Sequence, residues 1–240
     1  MTELSAALAI IKRRISDAEH RFGRPPGSVA LLAVSKMRSS QEIRALAGQG
    51  QRHFGENYLQ EARPKIDSLA DLGLIWHFIG KVQSNKTEAI AQHFDWVHTL
   101  EKEKIATRLN DQRPAPLLPL NVCIQVNISG EASKSGIPPE EVLTLAETVV
   151  RYPRLRLRGL MTLPAPSMSF EQQCLPFRRL AQVFAELQGR AFPVDTLSMG
   201  TSDDFEAAIA EGATLVRLGT SIFGPRHQGP IIPNEFRNAY

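Results

Sequence analysis

Val29-Ala-Leu-Leu-Ala-Val34 is a run of six apolar residues that stops at Ser35-Lys36, and the same pattern recurs along the chain. Further short apolar, often β-branched runs occupy His53-Phe54, Trp76–Ile79, Trp96–Thr99, Val122–Ile128, Leu155–Met161, Thr196–Ser198 and Thr214–Leu218, which makes eight strand candidates. Between them, stretches at about 39–48, 57–70, 84–92, 101–110, 139–151, 169–189 and 203–211 carry helical spacing. An additional N-terminal helix, with Leu4, Leu8, Ile11 and Ile15 on one face, ends before Phe22-Gly-Arg-Pro-Pro26. Eight alternating β/α units in 240 residues predict an α/β fold, a single (β/α)8 TIM-type barrel with an extra N-terminal helix. An open doubly wound sheet is the alternative. No linker divides the chain, so one domain is expected over residues 1–226, followed by a tail, 227–240, with no convincing element.

Composition narrows the function classes. With 28 Lys+Arg against 25 Asp+Glu, the net charge is only +3, too small a field to suggest nucleic acid. No apolar stretch approaches the ~20 residues a membrane-spanning helix needs, and Lys12-Arg13-Arg14 interrupts the first one. With no secretory signal pattern, a cytoplasmic protein is expected. Cys123 and Cys174 have no partner at metal-ligand spacing and read as structural thiols; no metal is expected.

In a barrel of this kind chemistry sits at the C-terminal ends of the strands, so polar residues just past an apolar run are the candidates. Lys36 ends the first strand, where partial burial would make its amine nucleophilic enough for a Schiff base; a solvated lysine is the plainer reading. Asn57 offers an amide after the second strand, or else caps the next helix. His77 reads as a core histidine and Met161 as packing. Ser198-Met-Gly-Thr-Ser-Asp-Asp204, opening a helix, is the strongest phosphate signal: Gly200 lets backbone approach, and Ser198, Thr201 and Ser202 add hydroxyl donors, unless Ser202 or Asp203 merely caps the helix. Arg217-Leu-Gly-Thr-Ser221 offers a second glycine turn beside it. Arg217 lies inside an apolar run and must have a partner, either an acidic side chain or a ligand ring nitrogen or phosphate. Arg151, Arg154, Arg156 and Arg158 fall at the opposite end and read as a solvated face.

Together these residues carry a resemblance. Leu31-Leu-Ala-Val-Ser-Lys36, His53-Phe-Gly-Glu-Asn-Tyr58, Trp76-His-Phe-Ile-Gly80 with Gln83-Ser-Asn-Lys86, Ser133-Lys-Ser-Gly136, Arg158-Gly-Leu-Met161, Ser198–Asp204 and Val216–Gly224 resemble the pyridoxal phosphate homeostasis protein family, itself similar to the barrel domain of alanine racemase. The likeness runs from about residue 4 to residue 226. It implies pyridoxal 5′-phosphate (PLP) held as a Schiff base on Lys36, and Arg217 facing the pyridine nitrogen. It also implies phosphate contacts from Ser198, Ser202, Gly219 and Thr220, with Asn57 and Met161 near the ring.

In alanine racemase a β-domain after the barrel supplies a catalytic tyrosine; no counterpart of it is expected here, and Tyr58, Tyr152 and Tyr240 are the tyrosines of this sequence. The resemblance therefore implies a monomeric carrier or regulator of PLP that affects amino-acid and keto-acid balance, with no catalytic residue assigned and apo PLP-dependent enzymes as acceptors. A small racemase-like PLP enzyme and a Schiff-base aldolase acting on phosphorylated sugars are the alternatives.

Overall fold

The computed structural model describes residues 2–131 and 134–225. Met1, Ala132, Ser133 and residues 226–240 lie outside the described residues, and with them Ser133 of the Ser133–Gly136 motif and the expected tail. Eight parallel strands close into a barrel in chain order: β1 (Ala30–Val34), β2 (His53–Glu56), β3 (Ile75–Phe78), β4 (Trp96–Leu100), β5 (Leu120–Gln125), β6 (Leu155–Met161), β7 (Thr196–Ser198) and β8 (Leu215–Leu218). The barrel closes where β8 pairs back onto β1, from Ala30 opposite Leu215 to Ala33 opposite Leu218, which excludes the open sheet. Around it lie α1 (Glu3–Arg21), α2 (Ser40–Gly48), α3 (Leu59–Ser68), α4 (Thr87–His93), α5 (Glu103–Gln112), α6 (Val142–Val149), α7 (Phe170–Gly189), α8 (Phe205–Ala210) and α9 (Thr220–Phe223). Side-chain caps fix several starts: Thr2 accepts from Ser5 N, Ser39 and Glu42 form a reciprocal capping box, and Ser169 accepts from Gln172 N.

Two strands differ from expectation for local reasons. β2 continues to Glu56 although its apolar signal stops at Phe54, because Gly55 brings no side chain and the Leu32 and Ile79 side chains fill the space above it. β5 ends at Gln125 and not at Ile128, since the backbone there turns to the loop: Ile137 N donates to Gln125 O, and Asn127 N to Ile137 O.

Strand alternation divides the buried residues into two sets. Leu31, Phe54, Trp76, Val97, Leu197 and Val216 face the helices and belong to one continuous apolar core. Trp96, Cys123 and Met161 form a separate small cluster in the lumen.

Candidate functional site

The lumen-facing residues interleave with the outer core. His77 lies between Trp76 and Phe78, Ser198 between Leu197 and Met199, and Arg217 between Val216 and Leu218, all six neighbours being outer-core residues. The three polar side chains are buried. Arg217 Nη1 donates to Ser198 O (2.5 Å) and Ser198 Oγ (2.8 Å), and Nη2 to Thr162 O (2.8 Å). The partner expected for this cation was a carboxylate or a ligand; among the described residues its acceptors are all neutral. Burial pulls Arg217 down to about 10, so it remains charged at neutral pH. From Ser198 a chain of hydrogen bonds crosses the lumen. Ser198 Oγ meets His98 Nδ1 at 2.8 Å, His98 Nε2 meets His77 Nδ1 at 2.8 Å, and His77 Nε2 meets His53 Nδ1 at 2.9 Å. Burial pushes His98 down to about 3, with Arg217 adding to the effect, and holds His77 well below its usual value; His53, half-buried, is lowered too. All three imidazoles are therefore neutral at pH 7.

At the C-terminal mouth, Lys36 follows β1 in a turn and is half-buried. A buried polar cluster braces its backbone from behind. Lys65 Nζ donates to Ser35 O (2.8 Å), Glu56 Oε1 (2.9 Å) and Glu61 Oε1 (2.5 Å), and Ser35 Oγ donates to Glu56 Oε1 (2.6 Å). Glu61 Oε1 also accepts from Met37 N, where the chain turns at φ +60. Burial raises Glu56, and its Oε2 is buried without a partner.

Asn57 does not cap α3, whose N-cap is Tyr58 with no side-chain hydrogen bond. Its Oδ1 is instead buried and has no hydrogen-bond partner among the described residues. The backbone there is clamped, because a Cβ at Gly80 would sit 1.9 Å from Asn57 O.

The loops after β7 and β8 meet directly: Ser202 Oγ lies 3.1 Å from Ser221 Oγ and accepts from Ser221 N at 3.4 Å. Neither Ser202 nor Asp203 caps α8; Asp204 stands at the N-cap, and its Oδ1 accepts from Thr201 N and Thr201 Oγ1. Gly200 has φ +94, and a Cβ there would meet Ala208 Cβ at 2.7 Å, so only glycine fits this turn. Gly219 precedes α9, with Thr220 exposed at its first position. Ser198, expected among the phosphate donors, has its hydroxyl occupied by Arg217 and His98.

Met161 is buried in the lumen beside Trp96 and Cys123. Burial pushes the Cys123 thiol up to about 12, in keeping with a structural role. At the barrel's opposite end, Arg158 is not simply solvated: it pairs with Asp195 (2.7 Å) and covers the Trp96 ring at 4.6 Å. His53 and His98 were missed in the sequence. Their signal was a polar residue at alternate positions from buried apolar ones, the same that marked His77.

A family model for the N-terminal domain of alanine racemase matches residues 7–227. A pyridoxal phosphate homeostasis protein of Pseudomonas aeruginosa is 53% identical over 229 residues, covering 95% of this chain and 98% of that one. The chain belongs to the pyridoxal phosphate homeostasis protein family. A second family member, from Escherichia coli K12, is likewise 53% identical over 229 residues, covering 94% of this chain and 98% of its own. PipY of Synechococcus elongatus, solved with PLP bound, superposes with a TM-score of 0.80 at 33% identity, covering 92% of this chain and all of that one, 100%. Alanine racemase from Corynebacterium glutamicum shares the fold at 17% identity and a TM-score of 0.67; the match covers 96% of this chain and 62% of the racemase.

Proposed function

We propose that this protein binds PLP at the C-terminal mouth of the barrel and serves PLP homeostasis as a carrier or buffer, without turning over amino acids. The observation that carries this reading is Arg217, a buried cation whose hydrogen bonds to Ser198 and Thr162 leave guanidinium N–H groups over for a ligand. Asn57 Oδ1, buried and unpartnered, is a second group that a bound molecule would satisfy. Both fit a heteroaromatic ring with polar substituents. On this reading Lys36 Nζ holds the cofactor covalently, Arg217 faces the pyridine nitrogen, Asn57 and Met161 border the ring, and Ser202, Gly219 and Thr220 hold the phosphate. Ser198 takes part through Arg217.

When bound, the cofactor supplies a conjugated ring able to take up electron density. Arg217 restrains that capacity, since a fixed cation beside the ring nitrogen opposes a second positive charge there. Two-base racemisation needs an acid or base on the opposite face of the ring. Tyr152 is engaged with Thr107 Oγ1 (2.7 Å) in the outer layer, and Tyr58 is exposed after β2, which supports the carrier over a racemase-like enzyme. The names of the P. aeruginosa and E. coli relatives and the PLP-bound PipY favour PLP over an aldolase substrate. Apo PLP-dependent enzymes are the natural acceptors on this reading, which takes the protein as a cytoplasmic monomer; the small net charge supports the lack of a nucleic-acid partner, and among the described residues no helix is long and apolar enough to cross a membrane.

Borohydride reduction followed by peptide mapping tests the attachment: the pyridoxyl mass is expected on the Lys36 peptide, and recovery solely on another lysine overturns the assignment. Incubation of the loaded protein with L-alanine in D₂O tests the carrier reading. Exchange at Cα is expected to be negligible while PLP passes to an excess of apo-enzyme, and turnover at about 1–10³ s⁻¹ overturns it.

A further inference from the structure

Arg217 is held at its site partly by Ser198, and Ser198 is the end of the chain through His98, His77 and His53. The donors in that chain follow from chemistry. Arginine only donates, so Ser198 Oγ must accept from Arg217 and has a single proton left to give. A neutral imidazole donates through one nitrogen and accepts through the other, so each hydrogen bond fixes the next. Just two arrangements of the chain exist. Either Ser198 donates to His98 Nδ1 and every histidine carries its proton on Nε2, or the whole chain runs the other way with every proton on Nδ1.

The cation decides between them. In the first arrangement the acceptor end of every dipole faces Arg217; in the second, His98 would drive an N–H toward the same oxygen that the guanidinium occupies. With Arg217, Ser198, His98 and His77 all buried, this preference is large and is transmitted along the chain to His53. His53 lines a crevice at the N-terminal end of the barrel with Lys12, Glu19, Gln51 and Arg52, so the chain joins the opposite end of the barrel to Arg217.

We propose that His98, held in its Nε2–H tautomer by His77 and His53, is a positioning residue that orients Arg217 through the hydroxyl of Ser198. The assignment rests on the PLP reading for its effect on the cofactor, though the tautomers are a property of the chain itself. Losing the Ser198–His98 bond frees the hydroxyl to rotate, and Arg217 then loses one of the acceptors that aim it at the ring nitrogen.

Two measurements on the full-length protein test this. With ¹⁵N-labelled histidine, long-range ¹H–¹⁵N correlations at pH 7.5 should show His53, His77 and His98 all neutral with the proton on Nε2. A proton on Nδ1 of His98 overturns the proposal. The second measurement is the pH midpoint of the visible band of the PLP-loaded protein, together with PLP affinity. His98→Leu should shift the midpoint and weaken PLP by about tenfold. His98→Asn, whose Oδ1 can accept from Ser198 as Nδ1 did, should return both toward the original values.

A folded His98→Leu protein with an unchanged midpoint overturns the positioning role. So does a midpoint that shifts equally in the asparagine variant. If His98→Leu does not fold, the tautomers and the asparagine variant still decide, an unaltered midpoint and affinity in the latter being the supporting outcome. Absence of any PLP binding by the unmodified protein refutes the function proposed above and leaves the tautomer result standing, so the two failures are distinguishable.

Discussion

On β8, Val216 and Leu218 turn outward into the apolar layer while Arg217, between them, turns into the lumen; β3 repeats the alternation with His77 between Trp76 and Phe78. A barrel of this type ordinarily fills its lumen with layers of bulky branched residues. Here Trp96, Cys123, Met161 and Leu32 do so in part, while Arg217, Ser198 and three histidines add polar groups among them. Burying such groups is tolerable because each finds a partner. The outer face is thus set by volume, whereas the inner face is set by hydrogen bonds and serves the site. The difference teaches where to look for function in a fold whose shape alone is uninformative.

Substitutions on the two faces should separate stability from binding. Phe177 on α7 is fully buried in the outer core, and Phe177→Ala should destabilise the fold by about 3–5 kcal/mol. Denaturant unfolding measures the loss, and PLP affinity of the still-folded protein should change little. A large loss of affinity at full stability would break the distinction.

The lumen answers instead to pH. Burial holds His98 at about 3 and His77 lower than usual, against about 6.5 in an unfolded chain. The unfolded state therefore binds more protons throughout the interval from about 6.5 down to about 3, so stability is intact above 6.5 and is lost as pH falls. His98 contributes a slope of about 1.4 kcal/mol per pH unit well inside that window, and His77 acts in the same direction. Unfolding followed between pH 7 and 4.5 should show this slope, and a flat profile would mean the lumen is wetter than its geometry requires.

The mouth should respond chiefly in affinity, although the Ser202 hydroxyl also joins its loop to Ser221. Ser202→Ala removes a hydroxyl donor proposed for the phosphate, with an expected loss of roughly 1.5–3 kcal/mol in PLP binding, about tenfold or more. Pyridoxal, lacking phosphate, should be nearly indifferent; equal losses for both ligands would remove Ser202 from the phosphate site. The smallest effect belongs to the surface. Arg14 pairs with Glu206 at 2.7 Å in the open, and Arg14→Ala should alter stability by no more than about 1 kcal/mol.

What could be read in advance follows the same division. The outer core writes itself as apolar runs, so all eight strands and the helices α1 to α8 were legible, within a few residues at their ends, whereas the single turn of α9 (Thr220–Phe223) is too short to leave a periodic pattern. Lys36 and Arg217 stand out as candidates because the one follows the end of such a run and the other interrupts one, and Ser202 because it follows a glycine turn that opens a helix. His53 and His98 were not, since their meaning depends on partners 24 and 100 residues away in sequence. The strand limits at Glu56 and Gln125 were missed for a related reason: a glycine with its space filled by other strands, and a loop that captures the ladder, leave no local trace. The bonds that commit Ser198 to Arg217 and His98 are equally invisible in its neighbours.

Cys123 has one further consequence. A thiol whose burial lifts it to about 12 is almost wholly protonated at pH 7, and the thiolate is the form that attacks peroxides and disulfides. Cys123 is therefore a poor target for oxidants. The barrel thus holds a sulfur inside without offering a competing nucleophile to carbonyl compounds at its mouth, and Cys123 should stay unmodified when the folded protein meets an alkylating reagent or mild peroxide.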